Sequence, residues 1–294
     1  MGDVTIGLLH PGEMGAAVGQ CLAGAGYQVL WAPAGRSAAT SERAAAAGLT
    51  GCGLAEMTGR SDLIVSVCPP AAALDVAREV TGFGGIYLDA NAISPATAGE
   101  VARIVAAGGA GYVDGGIIGT PPVAPGFIRL YLSGARAGEV RALFDGTAVS
   151  ARVVERADGP AGAGAGVGAA SAVKMAYASW TKGTAALLLA ARALARAEGV
   201  EPDLLAEWSI SQPGLDEQSA RAAGSAAAKG WRWVAEMEEI AAAMSAAGLP
   251  DGFHRAAAEI YRRAPRDGGL DGLLDALPSA LPSALPSAGA EALG

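Results

Sequence analysis

Lys174 stands early in a run of helix formers that continues to Ala197, behind the glycine-alanine stretch Gly159-Pro-Ala-Gly-Ala-Gly-Ala-Gly-Val-Gly168. The glycines suit a loop where backbone must approach something closely. The segment behind them reads as a helix of about twenty-five residues or more, apolar on most sides. A lysine in such a helix either snorkels to water or is held where its ammonium can exchange protons. A second group lies near the start of the chain: His10-Pro11-Gly12-Glu13-Met14-Gly15 succeeds the apolar run Val4 to Leu9 and precedes a helical pattern from Ala16 to Ala25. Strand, tight turn, helix is the context of a dinucleotide fingerprint, G-x-G-x-x-G. Gly12 and Gly15 fill its second and third glycines and His10 stands at the first. Such a turn lets a pyrophosphate approach backbone and rest on a helix N-terminus.

The next strand, Gln28 to Trp31, tests which nucleotide is meant. A carboxylate past its end would hold ribose hydroxyls, yet no Asp or Glu occurs between Glu13 and Glu42. The loop instead carries Arg36-Ser37. A guanidinium beside a hydroxyl matches a 2′-phosphate in charge and geometry, which favours NADP over NAD; the other reading of Arg36 is a solvated loop arginine.

Further apolar runs at Leu63–Val67, Gly85–Leu88, Tyr112–Asp114, Ile128–Ser133 and Arg152–Val154 read as strands, with Ala137–Phe144 helical. Cys68-Pro69-Pro70 ends one strand, Asp89-Ala-Asn91-Ala-Ile-Ser94-Pro95 another, and Asp114-Gly115-Gly116-Ile117-Ile118 a third. Ser94 is an N-cap with Pro95 in the first turn of its helix. Polar groups thus gather at the carboxyl ends of successive strands, where open α/β sheets bind ligands. Beyond Lys174 everything to Arg263 reads helical, including Glu201 onward, Trp231–Ala247 and Phe253–Arg263, and from Leu277 the chain repeats Ala-Leu-Pro-Ser. The expected fold class is α/β: a doubly wound N-terminal sheet (1–162), then a long helix opening an all-α domain (163–270), then a low-complexity tail (271–294).

Composition narrows the partners. A net charge of −8 argues against nucleic acid and anionic membrane. Three cysteines, Cys21, Cys52 and Cys68, form no C-x-x-C, so neither a disulfide frame nor a metal site is expected. With only His10 and His254 and no G-x-S-x-G, a Ser-His-Asp hydrolase finds no support. The start runs straight into a strand without a basic leader, so a cytoplasmic protein is expected.

Taken together, Ile6-Gly-Leu-Leu-His-Pro-Gly-Glu-Met-Gly15, the Asp89–Pro95 turn, Tyr112-Val-Asp-Gly-Gly116 and the Gly168 to Lys174 spacing resemble the β-hydroxyacid dehydrogenase and 6-phosphogluconate dehydrogenase superfamily, which includes the imine reductases. The second half resembles a phosphogluconate-dehydrogenase-like helical domain of undefined substrate. The resemblance implies a Rossmann-like nucleotide domain, a long interdomain helix, and a helical domain that dimerises, with the active site in the cleft between. It implies that Lys174 is the general acid/base, with Tyr177 one turn on. His10 to Gly15 (His10, Pro11, Gly12, Glu13, Met14, Gly15), Arg36, Ser37, Cys68, Pro69 and Asn91 would bind cofactor, Met14 and Pro69 against the nicotinamide. Ser94, Asp114, Gly115, Gly116, Ile118, Trp231 and Glu236 would face substrate. Four departures stand out. His10-Pro11 replaces Gly-Leu, which fits a turn needing no positive φ there. Ile118 replaces a serine, Tyr177 an asparagine, and Ala235-Glu236 a Lys-Asp pair. The expected activity is hydride transfer between NADP(H) and a C–OH/C=O centre of a small carbonyl, alcohol or imine substrate. An imine reductase is the alternative, and a non-catalytic redox sensor the second.

Overall fold

The computed structural model describes residues 4–121, 126–155 and 166–278. An eight-stranded sheet organises the first half, in the order β3-β2-β1-β4-β5-β6-β7-β8. Its strands are β1 (Thr5–Leu9), β2 (Gln28–Trp31), β3 (Thr50–Gly51), β4 (Leu63–Ser66), β5 (Ile86–Asp89), β6 (Gly111–Ile118), β7 (Ile128–Ser133) and β8 (Val149–Val153). Neighbours pair in parallel except β6 with β7. The central strands are buried on both faces, as parallel strands covered by helices are. Ile6, Leu8, Val65 and Leu88 enter one apolar cluster, while Leu9, Leu30, Ile64 and Tyr87 enter another. Alternation along β4 and β5 divides the two clusters between opposite faces of the sheet.

The connecting helices are α1 (Glu13–Gly24), α2 (Ala38–Ala46), α3 (Leu54–Arg60), α4 (Ala73–Glu79), α5 (Pro95–Ala107) and α6 (Ala137–Ala142). Ser37 caps α2 and Ser94 caps α5, each accepting from the backbone N–H three residues on. Then come α7 (Ala169–Ala197), α8 (Glu201–Ser211), α9 (Leu215–Ala246), α10 (Gly252–Arg263) and α11 (Gly269–Ala276). The expected helix at Trp231 is the second half of the longer α9. The N-terminal sheet with helices and the all-helical remainder are the fold class read from the sequence.

The chain divides into two compact units, Met1–Thr181 with Ala235–Arg255, and Lys182–Val234 with Ala256–Gly294. The second unit is methyl-rich, its buried set including Ala186, Leu189, Ala223, Ala226, Ala258 and Tyr261. Arg192, itself buried, pairs with Glu201 at 2.7 Å and Asp216 at 2.6 Å.

The tail is shorter than expected. It does not begin at Asp271: α11 occupies Gly269–Ala276 and buries Leu273 and Leu274 completely. Arg196 also reaches Asp271 at 2.7 Å and Asp275 at 3.3 Å. Residues 279–294, which hold the rest of the Ala-Leu-Pro-Ser repeat, lie outside the described residues, as do residues 159–165 of the glycine run.

Candidate active site

The carboxyl ends of β1, β2, β4 and β5 and the loops that leave them carry several candidate residues of the first unit, while Asp114, Gly115, Gly116 and Ile118 stand within β6 itself. At β1 the chain turns sharply, with Gly12 N–H donating to the His10 carbonyl at 2.7 Å, and enters α1. Gly15 lies so close beneath that a Cβ there would meet the His10 carbonyl oxygen at 2.5 Å. Gly15 is thus a packing requirement. His10 has φ 65, the one non-glycine with positive φ among the described residues. The turn therefore does need positive φ at this position, contrary to the sequence expectation. Histidine accepts it at a cost of roughly 1–2 kcal/mol.

The His10 ring is mostly buried, and its Nδ1 has no hydrogen-bond partner. Burial, helped by the positive charge of Arg36, pushes its pKa down to about 4, so the ring is neutral near pH 7. Arg36 has no hydrogen-bond or ion-pair partner for its guanidinium among the described residues. Ser37, in contrast, spends its hydroxyl on capping α2. Arg43, which the sequence places a little beyond Arg36-Ser37, donates to the Pro11 carbonyl at 3.2 Å and braces the turn. Gly12 is exposed, and a Cβ added to it would meet nothing within 4 Å. An open glycine cradle at a helix N-terminus, an orphaned ring nitrogen and an uncommitted guanidinium are a donor set that fits a dinucleotide phosphate.

At β4 and β5 the polar groups face each other. The Cys68 N–H donates to Asn91 Oδ1 at 2.6 Å, and Asn91 Nδ2 donates to Ser66 Oγ at 3.1 Å. The Asn91 side chain therefore ties two strand ends together. Burial, with the Asp89 charge adding to it, raises the Cys68 thiol to about 12. The thiol is then an inert hydrophobe. Asp89 is fully buried, and burial lifts its carboxyl to about 7 against the hydrogen bond from Asn91 N–H. Pro69 is exposed and Met14 half-buried.

At β6 the first unit positions Lys174. Asp114 is completely buried and accepts from Ser133 Oγ at 2.9 Å, Ser171 N–H at 3.0 Å and Ser171 Oγ at 2.6 Å. Ser133 Oγ in turn accepts from Ala170 N–H at 3.0 Å. A carboxylate at a helix N-terminus satisfies orphan amides and complements the dipole. Asp114 anchors α7, and its carboxylate is buried on that helix's first turn. Gly116 brings β6 against α7: a Cβ there would lie 2.6 Å from the Ala170 carbonyl oxygen and 3.0 Å from Lys174 Cβ. Gly115 packs equally closely on the Asp89 carbonyl, 2.8 Å by the same measure. Ile118 is buried.

Lys174 Nζ stands 3.7 Å from Glu236 Oε1, with side chains only 16% and 7% exposed. One turn along α9, Glu239 Oε2 accepts from Ser94 N–H at 2.7 Å and Thr97 Oγ1 at 2.9 Å. Ser94 is thus committed to its cap and to Glu239. Thr97 escaped the sequence reading, and Glu239 read as one charge of an amphipathic helix, because Glu239 lies 145 positions from Ser94 and 142 from Thr97. Tyr177 is 46% exposed, while Ala178 beside it is buried. Trp231 belongs to the second unit, where it lines a hollow of ≈ 310 Å³ with Val234, Tyr261 and Arg266. The Arg266 guanidinium lies 5.8 Å from its ring centroid. No cluster able to hold a metal occurs among the described residues, nor any helix long and apolar enough to cross a membrane.

A solved structure described as a conserved protein of unknown function similar to 3-hydroxyacid dehydrogenases matches this chain at 27% identity, covering 93% of this chain and 98% of that one, TM-score 0.61. A 3-hydroxyisobutyrate dehydrogenase from Salmonella typhimurium matches at 18% identity, 93% and 99% coverage and TM-score 0.68. The chain has the 3-hydroxyacid dehydrogenase fold. An imine reductase from Myxococcus stipitatus in complex with NADP+ matches at 24% identity, 88% and 93% coverage and TM-score 0.54. Residues 195–264 match a family described as Domain of unknown function (DUF1932). No curated protein matches by sequence. The resemblance read from the N-terminal motifs therefore holds, with 3-hydroxyisobutyrate dehydrogenases and imine reductases both among the structural neighbours.

Proposed function

We propose that the protein is a nicotinamide-dependent oxidoreductase, using NADP(H), that interconverts a carbonyl and an alcohol on a small organic substrate. The observation that carries this reading is Lys174, an ammonium largely withdrawn from water on a helix pressed against the strand whose end joins the cradle of loops. The bound nicotinamide would supply a hydride to the carbonyl carbon. Lys174 gives a proton to the oxygen as the C=O pair collapses onto it, and takes the proton back in the reverse direction. Gly12 and the first turn of α1 receive the pyrophosphate, and Arg36 the 2′-phosphate. Asp114 and Gly116 hold Lys174 in place, so that little of the proton-transfer geometry is left to chance.

An imine reductase is the second reading, favoured by the carboxylate of Glu236 beside Lys174. We also propose a homodimer through the helical half. In support, α8 has no buried residue, and Leu187, Leu194 and Ile210 are 55%, 65% and 78% exposed. Apolar residues so presented want a partner.

The test is consumption of NADPH and of NADH against panels of aldehydes, keto acids and cyclic imines. NADPH oxidation with a carbonyl panel is expected. A protein that binds NADPH tightly and turns over nothing would instead be a sensor.

A further inference from the structure

The second unit holds a hollow of ≈ 310 Å³ that the oxidoreductase reading leaves without a use. Its lining is drawn from residues 226–234 of α9 and 261–266 at the end of α10. Ala226 and Val234 give it methyl-lined walls, and Trp231 and Tyr261 aromatic ones. One wall is fixed in place. Tyr261 is 1% exposed, its hydroxyl donates to the Lys182 carbonyl at 2.5 Å, and its ring meets Trp233 edge-on at 5.0 Å. The volume is at the small end of sites for organic molecules. Charge sets the hollow apart. In a chain of net charge −8, its lining carries two guanidiniums, Arg262 and Arg266, and no carboxylate. Arg262 pairs with Glu259. Arg266 makes no hydrogen bond or ion pair among the described residues, and its guanidinium lies 5.8 Å from the Trp231 ring centroid. The Trp231 indole N–H likewise has no acceptor among the described residues.

We infer that this hollow binds a small aryl carboxylate, its ring against Trp231 and Tyr261 and its carboxylate on Arg266. The inference stands apart from the oxidoreductase reading, since every lining residue belongs to the second unit. Guanidinium and indole N–H groups only donate, so together they call for an acceptor-rich ligand. A planar carboxylate matches the guanidinium fork with two parallel hydrogen bonds, and stacking on the indole leaves the edge of the fork free to make them. Arg266 is exposed, so its charge alone would hold a carboxylate weakly. The aromatic walls supply the rest, because a flat ring between them buries apolar surface on both sides. An uncharged ring leaves the donors without an acceptor, and a cation meets two like charges. The hollow therefore selects ring and negative charge together.

The experiment is calorimetric titration of the full chain with benzoate, benzyl alcohol and acetate. Benzoate is expected to bind about tenfold more tightly than either of the others, which carry the ring without the charge and the charge without the ring. Arg266→Gln should weaken benzoate about tenfold and leave benzyl alcohol unchanged. Trp231→Leu should weaken benzoate and benzyl alcohol alike. Arg36→Ala separates this hollow from the nucleotide cradle, and benzoate affinity should not move in it. If Arg266→Gln melts below the assay temperature, Arg266→Lys keeps the charge without the fork and should still weaken benzoate severalfold. Benzoate binding no tighter than benzyl alcohol overturns the inference. So does an unchanged benzoate affinity in the Arg266 variants, or a loss that appears in Arg36→Ala instead.

Discussion

The two ends of the sheet's binding edge are built in opposite ways. Around β1 and β2, polar groups stand without protein partners: His10 Nδ1 is buried and orphaned, and the Arg36 guanidinium is uncommitted among the described residues. Around β6, α5 and α7, polar groups are wired to one another through Asp114, Ser133, Ser171, Ser94, Thr97 and Glu239. An unpaired buried polar group costs free energy that a ligand can recover. A saturated network instead fixes geometry. The first end is left with polar groups that a ligand could satisfy, and the second holds α7, with Lys174, in place.

The largest effect should come from breaking the wired end. Asp114→Ala removes an acceptor of three hydrogen bonds and leaves Ser171 N–H at the mouth of α7 unsatisfied. A loss on the order of 3 kcal/mol or more is expected, read as a fall in the denaturant midpoint. A loss below about 1 kcal/mol would show that α7 is anchored elsewhere.

Asp89 gives the pH dependence. Its folded pKa of about 7 lies above the ordinary 3.8, so the folded state holds the proton more tightly. Its contribution is full at low pH and is lost as pH rises from about 4 to 7, on the order of 4 kcal/mol. His10 has the reverse sign, since its pKa is lowered from 6.5 to about 4, and its contribution is lost as pH falls through the same window. The two oppose each other, so the unaltered protein should show a shallow stability profile. Asp89→Asn should uncover a profile that climbs with pH. An unchanged profile would mean that Asp89 titrates normally.

Gly116→Ala tests the wired end by displacement. Its Cβ would strike the Ala170 carbonyl and Lys174 Cβ, and a shift of about 1 Å at the reacting group costs on the order of a hundredfold in kcat. NADPH affinity should hardly move. The smallest effect is at the open end: Arg36→Ala should weaken NADPH about tenfold and NADH little. Equal losses for both cofactors would remove Arg36 from any 2′-phosphate site.

Much of this was legible in the sequence. Apolar runs and their glycine turns located seven of the eight strands; the two-residue β3 carries no periodicity to read. Lys174 and Glu236 were both singled out, and the structure brings them together. What could not be read depends on distant partners. Asp114 looks like a ligand-facing loop residue until Ser171, 57 positions on, arrives above it. Glu239 looks like one charge of an amphipathic helix until Ser94 meets it. The positive φ of His10 left no trace, because no composition rule marks a histidine in a glycine's place. Leu273 and Leu274 were hidden by the repeat just beyond them, yet they pack a helix.

The central claim is that Lys174 exchanges the proton. Single-turnover oxidation of NADPH by the unaltered protein and by Lys174→Ala, with NADPH affinity measured alongside, tests it most directly. A rate lower by about 10²–10⁴-fold at unchanged NADPH affinity is expected. An unchanged rate, with cofactor binding intact, would contradict the account.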